Sequence, residues 1–291
     1  MQALLGVLLI LISAAAFGAM PILTVYAYAD GVTPITLLFL RFGIAALVML
    51  GLTGVRRTGL PRGRLLGGLI VLGAVGYAGQ SLAYFTALTE ASVGLVSLLL
   101  YLYPMLVAVL ATLFLKEPFT RLKAAALGLA LFGLVLTVGG EPDGKPLGIA
   151  LGILAALLYS CYITFGSTLT RRVSALQSTT VVLSAAACTY GVINLLQGAA
   201  FPQTADGWLA IAAIALISTV LAVLTFFAGM ARVGPTNAAL LSTVEPVVSL
   251  LLAAVLLGQT PTLLRLFGGV LILSAVILLS RGALGAAEQV S

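Results

Sequence analysis

The chain has 291 residues, of which 62% are hydrophobic and 8% charged, and its mean hydropathy is +1.23. Soluble domains run roughly 45–50% apolar and about 25% charged. So few ionic groups cannot cover a water-facing surface, so most of the exterior must face a solvent as apolar as the interior, and a bilayer is that solvent. The chain contains no histidine, which excludes Ser/His/Asp and Cys/His catalysis, imidazole metal sites and histidine proton relays. No close carboxylate pair offers general acid/base work either, so no enzyme, cofactor or metal site is expected. Cys161 and Cys188 sit inside apolar runs and read as small buried hydrophobes.

Ten apolar runs follow one another, each near the roughly 20 residues that a spanning helix needs. The first, 4–27, lacks a basic leader region and is longer than a secretory core; it is expected to stay as the first helix, although Ser13 to Ala19 resembles a cleavage site. Asp30-Gly31 and Pro34 punctuate the chain before 33–54, which carries Arg41. A connection from Arg56 to Arg64 leads into 65–89, where Tyr77, Gln80, Ser81 and Tyr84 recur at helical spacing. Run 92–115 holds Ser97, Tyr101, Tyr103 and Pro104, and ends at Glu117-Pro118. After 121–139 and the turn Glu141-Pro142-Asp143-Gly144, run 146–169 carries Tyr159 and Tyr162. Runs 174–196 and 207–231 follow, then 235–257, with Asn237, Ser242, Thr243, Glu245, Pro246 and Ser249, and finally 262–280. Tyr26, Tyr28 and Trp208 lie near span ends and read as interfacial anchors.

Charge sets the orientation. With a cytoplasmic N-terminus, the inner connections carry Arg56, Arg57, Arg62, Arg64, Lys116, Arg121, Lys123, Arg171, Arg172, Arg232 and Arg281, and the outer ones only Lys145 and Arg265. That asymmetry predicts both termini in the cytoplasm. The net charge of +6 is thus a topology signal, and a nucleic-acid partner is not expected, because the basic residues alternate with spans.

A shift of 142 residues superposes Leu82-Ala83-Tyr84-Phe85 on Leu224-Thr225-Phe226-Phe227, Leu98-Leu99 on Leu240-Leu241, and Pro104 on Pro246. It also pairs Gly6 with Gly148, Ala14 with Ala156, and Phe17 with Tyr159. Five spans per copy is an odd number, so the second copy enters the membrane from the opposite side. The expected fold class is therefore an all-α integral membrane protein of ten transmembrane helices in two inverted five-helix repeats, residues 1–141 and 142–291.

Such repeats place a site near the midplane, where helices are interrupted. Pro104 cannot donate to the carbonyl of Leu100, nor Pro246 to that of Ser242, so both carbonyls are expected to be free at depth. Around these breaks, Ser97 and Tyr101 share a stripe with Pro104, and Ser242, Glu245 and Ser249 share another; Tyr101 is preferred to Tyr103 as facing a cavity. The deep tyrosines, including Tyr77, Tyr84, Tyr159 and Tyr162, are either interhelical hydrogen-bonding groups or the lining of a wet cavity. By the helix rise, Arg41 lies about 12 Å below the outer end and Glu245 about 15 Å along its span. Both are candidates for substrate charge or coupling, Glu245 for an ammonium or proton and Arg41 for a carboxylate; the alternative is a structural ion pair or backbone hydrogen bonding. Ala124 and Gly128 permit close packing within one chain or between two, so monomer and homodimer both stay open.

The stretch PMLVAVLATLFLKEPFTRLKAAALGLALFGLV, Pro104 to Val135, resembles the end of an EamA repeat of the drug/metabolite transporter superfamily, as does Arg41 in its LRF step. The second copy, Glu245 to Ile277, departs from the pattern with Gln259 where a glutamate is usual. The resemblance implies ten helices, alternating access and small-molecule substrates, and within the superfamily the chain is similar to bacterial amino-acid exporters of the YddG type. It implies that the third, fourth, eighth and ninth spans line the path, with Tyr77, Gln80, Tyr84, Tyr101, Phe226 and Glu245 as candidates, that the fifth and tenth are peripheral, and that Glu117 is structural. The expected function is a secondary exporter of small amphiphilic metabolites, foremost neutral or aromatic amino acids, in a bacterial inner membrane. A proton-coupled multidrug or organic-cation exporter is the alternative, and a pore stays open.

Overall fold

The computed structural model describes residues 2–91, 93–138, 144–258 and 260–288, with side chains omitted at 93, 94, 138 and 280–288. Glu141, Pro142, Asp143, Gln259 and the boundary between residues 141 and 142 lie outside the described residues, as does the side chain of Arg281. The described chain is helical throughout apart from connections and one isolated bridge, Ala91 with Gly144. Eight helical stretches are long and apolar enough to cross a bilayer: Gln2–Ala29, Pro34–Val55, Gly63–Glu90, Leu95–Leu115, Pro146–Thr170, Ala175–Gln197, Ala205–Val233 and Pro235–Leu256. The other two expected runs form α8 (Arg121–Val138) and α15 (Leu263–Glu288), which pack on each other. Large apolar side chains such as Leu47, Leu195, Val255 and Leu263 lie exposed on the outside, as a lipid-facing surface requires. Cys161 and Cys188 are exposed there too, so their expected burial is corrected: an apolar run supplies a lipid face as readily as a core.

Several spans are not simple α-helices. The first divides into α1 (Gln2–Gly18) and α2 (Met20–Ala29), with Pro21 removing one donor at the junction. The second is α3 (Pro34–Val55), started by the Thr33 hydroxyl on the Thr36 N–H. In the third, α4 (Gly63–Val71) widens into a π-helical segment, Leu72–Tyr77, before α5 (Ala78–Glu90). The fourth is α6 (Val93–Leu100), a turn at Tyr101-Leu102, then α7 (Tyr103–Leu115). Then come α9 (Pro146–Thr170) and α10 (Ala175–Gln197), the latter opened by a Ser174/Gln177 capping box. The stretch Ala205–Val233 has the same build as Gly63–Glu90: α11 (Ala205–Ala215), a π segment Leu216–Leu221, and α12 (Ala222–Val233). Likewise Pro235–Leu256 matches Leu95–Leu115: α13 (Pro235–Leu241), a 3-10 turn Ser242–Val244, and α14 (Glu245–Leu256).

The freed carbonyl expected at Ser242 is not free. The 3-10 turn brings the Glu245 N–H onto it, because tightening to an i→i+3 bond satisfies the group that proline leaves. Just past the widened turns, side chains of other helices bond the backbone. Tyr190 donates to the carbonyl of Ala78 at 2.7 Å, and Ser13 to that of Ala222 at 2.8 Å. Each acceptor is the residue immediately after a π segment.

Small residues matter at the pair formed by α8 and α15, but not where expected. A side chain at Gly128 would meet open space, whereas Gly133 and Gly268 each bring their helix against the other's backbone. At one end of the molecule Glu117 accepts from Lys123 and Thr236, and Gln177 reaches the carbonyl of Gly59. At the other, Lys145 pairs with Glu90, and Asp30 accepts the backbone N–H groups of Gln203 and Thr204 at 2.7 and 3.0 Å.

Those two N–H donors hold the Asp30 carboxyl below its usual range. A lowered folded-state pKa contributes order that is complete above the ordinary aspartate range and lost as pH falls through the lowered value. Amide exchange at 198–204 should therefore accelerate only at strongly acid pH. In Asp30→Asn the same amides should exchange faster at neutral pH, with that acid step gone.

Candidate functional site

Between the broken spans lies one cavity of about 560 Å³. Its wall runs down α14 from Leu257 through Ala253, Leu250, Ser249 and Pro246 to Glu245, about 18 Å at the helical rise. Facing that wall are Tyr77, Gln80, Ser81, Tyr84 and Leu88 from the third span, all on one stripe of α5 and the turn before it. Phe17, Gly18, Met20, Pro21, Thr24 and Tyr28 come from the kinked first span, Ser97 and Tyr101 from the fourth, Tyr159 from α9 and Arg41 from α3. Leu88, Leu257 and Arg265 mark one end of the cavity, and Arg41, Tyr77 and Glu245 the other.

The expected site residues divide accordingly. Tyr77, Gln80, Tyr84, Ser97, Tyr101, Tyr159, Arg41, Glu245 and Pro246 line the cavity; Tyr162, Phe226, Ser242 and Pro104 do not. Phe226 packs against Phe227, itself beside Tyr162, beneath the cavity, and no residue of the eighth span lines it. Ser242 is buried one turn before Glu245 and does not reach the cavity surface. Thr137 of α8 and Arg265 of α15 do reach the rim. Tyr28, expected as an interfacial anchor, lines the cavity with its hydroxyl buried, whereas Tyr26 and Trp208 are exposed.

Rings seal the inner side of the cavity. Tyr77 stacks on Tyr162 at 5.1 Å, Tyr162 on Tyr159 at 5.9 Å, Tyr159 meets Tyr103 edge-on at 4.7 Å, and Tyr103 lies 6.0 Å from Tyr101. Tyr101 donates to Glu245 Oε2 at 3.3 Å, and Glu245 Oε1 is buried with no partner. Below them, Tyr103 reaches the carbonyl of Ala239 at 3.5 Å, joining α7 to α13.

Arg41 stands at the other end of this ladder and is 2% exposed. Its Nε donates to Thr219 Oγ1 at 2.8 Å and its Nη2 to the Tyr77 hydroxyl at 2.8 Å, while the guanidinium lies 4.8 Å from the centre of the Phe42 ring. Tyr77 and Thr219 belong to the two π segments and stand 142 residues apart, so the guanidinium is gripped by the same position of both copies of the repeat. Among the described residues Glu117 pairs with Lys123 and Glu90 with Lys145, and no carboxylate pairs with Arg41. Thr219 was missed in the sequence; the 142-residue shift that aligns it with Tyr77 was the available signal.

Comparisons with known proteins agree with this architecture. The profile of the EamA-like transporter family matches residues 4–139 and again 146–281. The uncharacterized transporter YyaM of Bacillus subtilis (strain 168) is 27% identical over 250 residues, 81% of each chain. An uncharacterized transporter of Archaeoglobus fulgidus is 28% identical over 244 residues, covering 84% of this chain and 85% of the relative. One crystal structure superposes with a TM-score of 0.82 at 23% identity, over 96% of this chain and 97% of its own, and so shares the fold.

Glycine at position 18 lets the first span approach the Glu245 turn. A Cβ there would sit 2.8 Å from the Glu245 carbonyl oxygen and 2.8 Å from Val248 Cβ, and neither atom can swing aside. Gly18→Ala should cost about 1–3 kcal/mol, read as a lowered midpoint of thermal unfolding in detergent.

Proposed function

Because the chain belongs to the EamA-like transporter family, we propose that it is a secondary exporter of small amphiphilic metabolites, with neutral and aromatic amino acids as substrates. It is a multi-pass membrane transporter and not an enzyme. In this reading α8 and α15 are the fifth and tenth spans, residues 1–141 and 142–291 are inverted repeats, and the basic connections lie with both termini on the cytoplasmic side of a bacterial inner membrane. The end lined by Leu88, Leu257 and Arg265 then lies toward the outside, and the tyrosine ladder toward the cytoplasm. Alternating access opens the two sides in turn.

One observation carries the substrate class: the cavity is lined at depth by one carboxylate and one guanidinium that are not paired with each other. An ion left without its opposite charge in a low-dielectric site is costly, and a zwitterion supplies both missing partners. Its ammonium meets Glu245 Oε1, its carboxylate meets Arg41, and an apolar side chain lies among Phe17, Tyr84, Tyr101 and Tyr159. Organic phosphates fit less well, since Arg41 is the single deep cation. The unpartnered Glu245 oxygen also favours a second reading, export of organic cations against protons bound at Glu245.

Flux into liposomes separates the readings. The reconstituted protein should give saturable amino-acid flux with counterflow, and no flux above empty liposomes across a broad amino-acid panel overturns the first reading. A charge-assisted hydrogen bond contributes about 1.5–3 kcal/mol, so Glu245→Gln should raise the amino-acid KM about tenfold or more while transport persists. Under cation/proton exchange the same change abolishes coupled transport.

A further inference from the structure

We infer that Thr219, which does not line the cavity, sets the preference of this transporter for substrates that carry a carboxylate, by fixing how Arg41 presents its guanidinium. The inference rests on the amino-acid reading above and deepens it.

The hydroxyl of Thr219 has one proton, and that proton is committed: it donates to the carbonyl of Ile214 at 2.9 Å, five residues back along the widened turn. The oxygen can then act toward Arg41 only as an acceptor, which it does for Nε at 2.8 Å. Tyr77 accepts from Nη2 at 2.8 Å. A guanidinium has five N–H donors; with Nε and Nη2 committed on the edge they share, the terminal edge keeps one proton on Nη1 and one on Nη2, and the last Nη1 proton points back beside the stem. The terminal edge matches a carboxylate bidentately. Tyr77 accepts from Arg41 and so retains its own proton, from inside the cavity wall, for the same anion. Without the Thr219 oxygen the guanidinium can rotate about its stem, and Nε competes for the ligand.

The π segment is part of the device. An α-helical turn would offer Thr219 the carbonyl of Ala215 or Leu216, whereas the hydroxyl is bound to Ile214. The rings of Phe42 and Tyr77 meet edge-on with centroids 5.2 Å apart and lie 4.8 and 5.7 Å from the guanidinium carbon, so together they bound its movement on that side. Thr219 restricts rotation in the plane.

The test compares phenylalanine with phenylalaninamide and phenethylamine, which keep the ring and amine and lack the carboxylate, in liposomes holding the full chain. Thr219→Val, close in shape but without the acceptor, should raise the KM for phenylalanine about tenfold and leave the KM for the two amines within about twofold. Thr219→Ser should restore the preference for the acid. Tyr77→Phe removes the second restraint from the other copy of the repeat and should shift selectivity in the same direction, which carries the test if Thr219→Val does not fold. Equal losses for acid and amines, or an unchanged selectivity ratio in both variants, overturn the inference alone. If phenylalanine gives no flux, the comparison is made with the amino acid of the panel that does and its amide; no flux for any of them in the unaltered protein overturns the amino-acid reading and this inference with it.

Discussion

Arg41 is 2% exposed, so protein groups must meet most of the demand of its charge, and the way they do so shapes four spans. Its donors reach Thr219 and Tyr77, one from each π segment. Just past each widened turn a hydroxyl from another helix bonds the backbone, Tyr190 of α10 to the Ala78 carbonyl and Ser13 of α1 to that of Ala222. The energies differ in scale. An interhelical hydroxyl bond in a membrane contributes roughly 0.6–2 kcal/mol, while leaving a buried charge without its partner costs about 3–5 kcal/mol. The charge therefore dictates the local helix geometry, and the hydroxyls follow from it.

The second organising element is the pair of interrupted spans. Breaks at Tyr101-Leu102 and Ser242–Val244 put Tyr101 and Glu245 in reach of each other across the cavity. On the other side of these breaks α7 and α13 meet, joined by Tyr103 on Ala239 and by Thr236 on Glu117. Cavity wall and helix contact are thus built into the same two interrupted spans. Aromatic rings suit the floor because they bury large area with few rotatable bonds, and offset stacking lets them slide past one another without exposing polar groups.

Much of this was legible in the residues. The scarcity of charge announced the bilayer, and the few charges left over, Arg41 and Glu245, led directly to the cavity. The Tyr77, Gln80, Ser81, Tyr84 stripe was readable because most of it lies on α5, where side chains keep α-helical spacing. Sharing a stripe with Glu245 does not bring Ser242 to the cavity, because it lies one turn deeper and is buried there. Pro246 marked a true break, but the carbonyl it leaves at Ser242 is recovered by the backbone itself. Phe226 and Tyr162 are aromatic at the right depth, yet depth does not say whether a ring lies at the surface of a cavity or one layer beneath it. Tyr28 misled for the converse reason, since the kink after Gly18 turns an end-of-span residue inward.

The grip of Arg41 by one repeat position taken from both copies has a consequence for how such a chain arises. A side chain that touches both equivalents lies close to the axis relating them, so its own equivalent lies close to that axis as well. That equivalent is Leu183, 142 residues on, and it is fully buried. An assembly of two identical halves would have to place two guanidiniums there, repelling one another in a low dielectric. Joining the copies in one polypeptide frees them to differ, so that one copy supplies the cation and the other, at Leu183, an uncharged side chain.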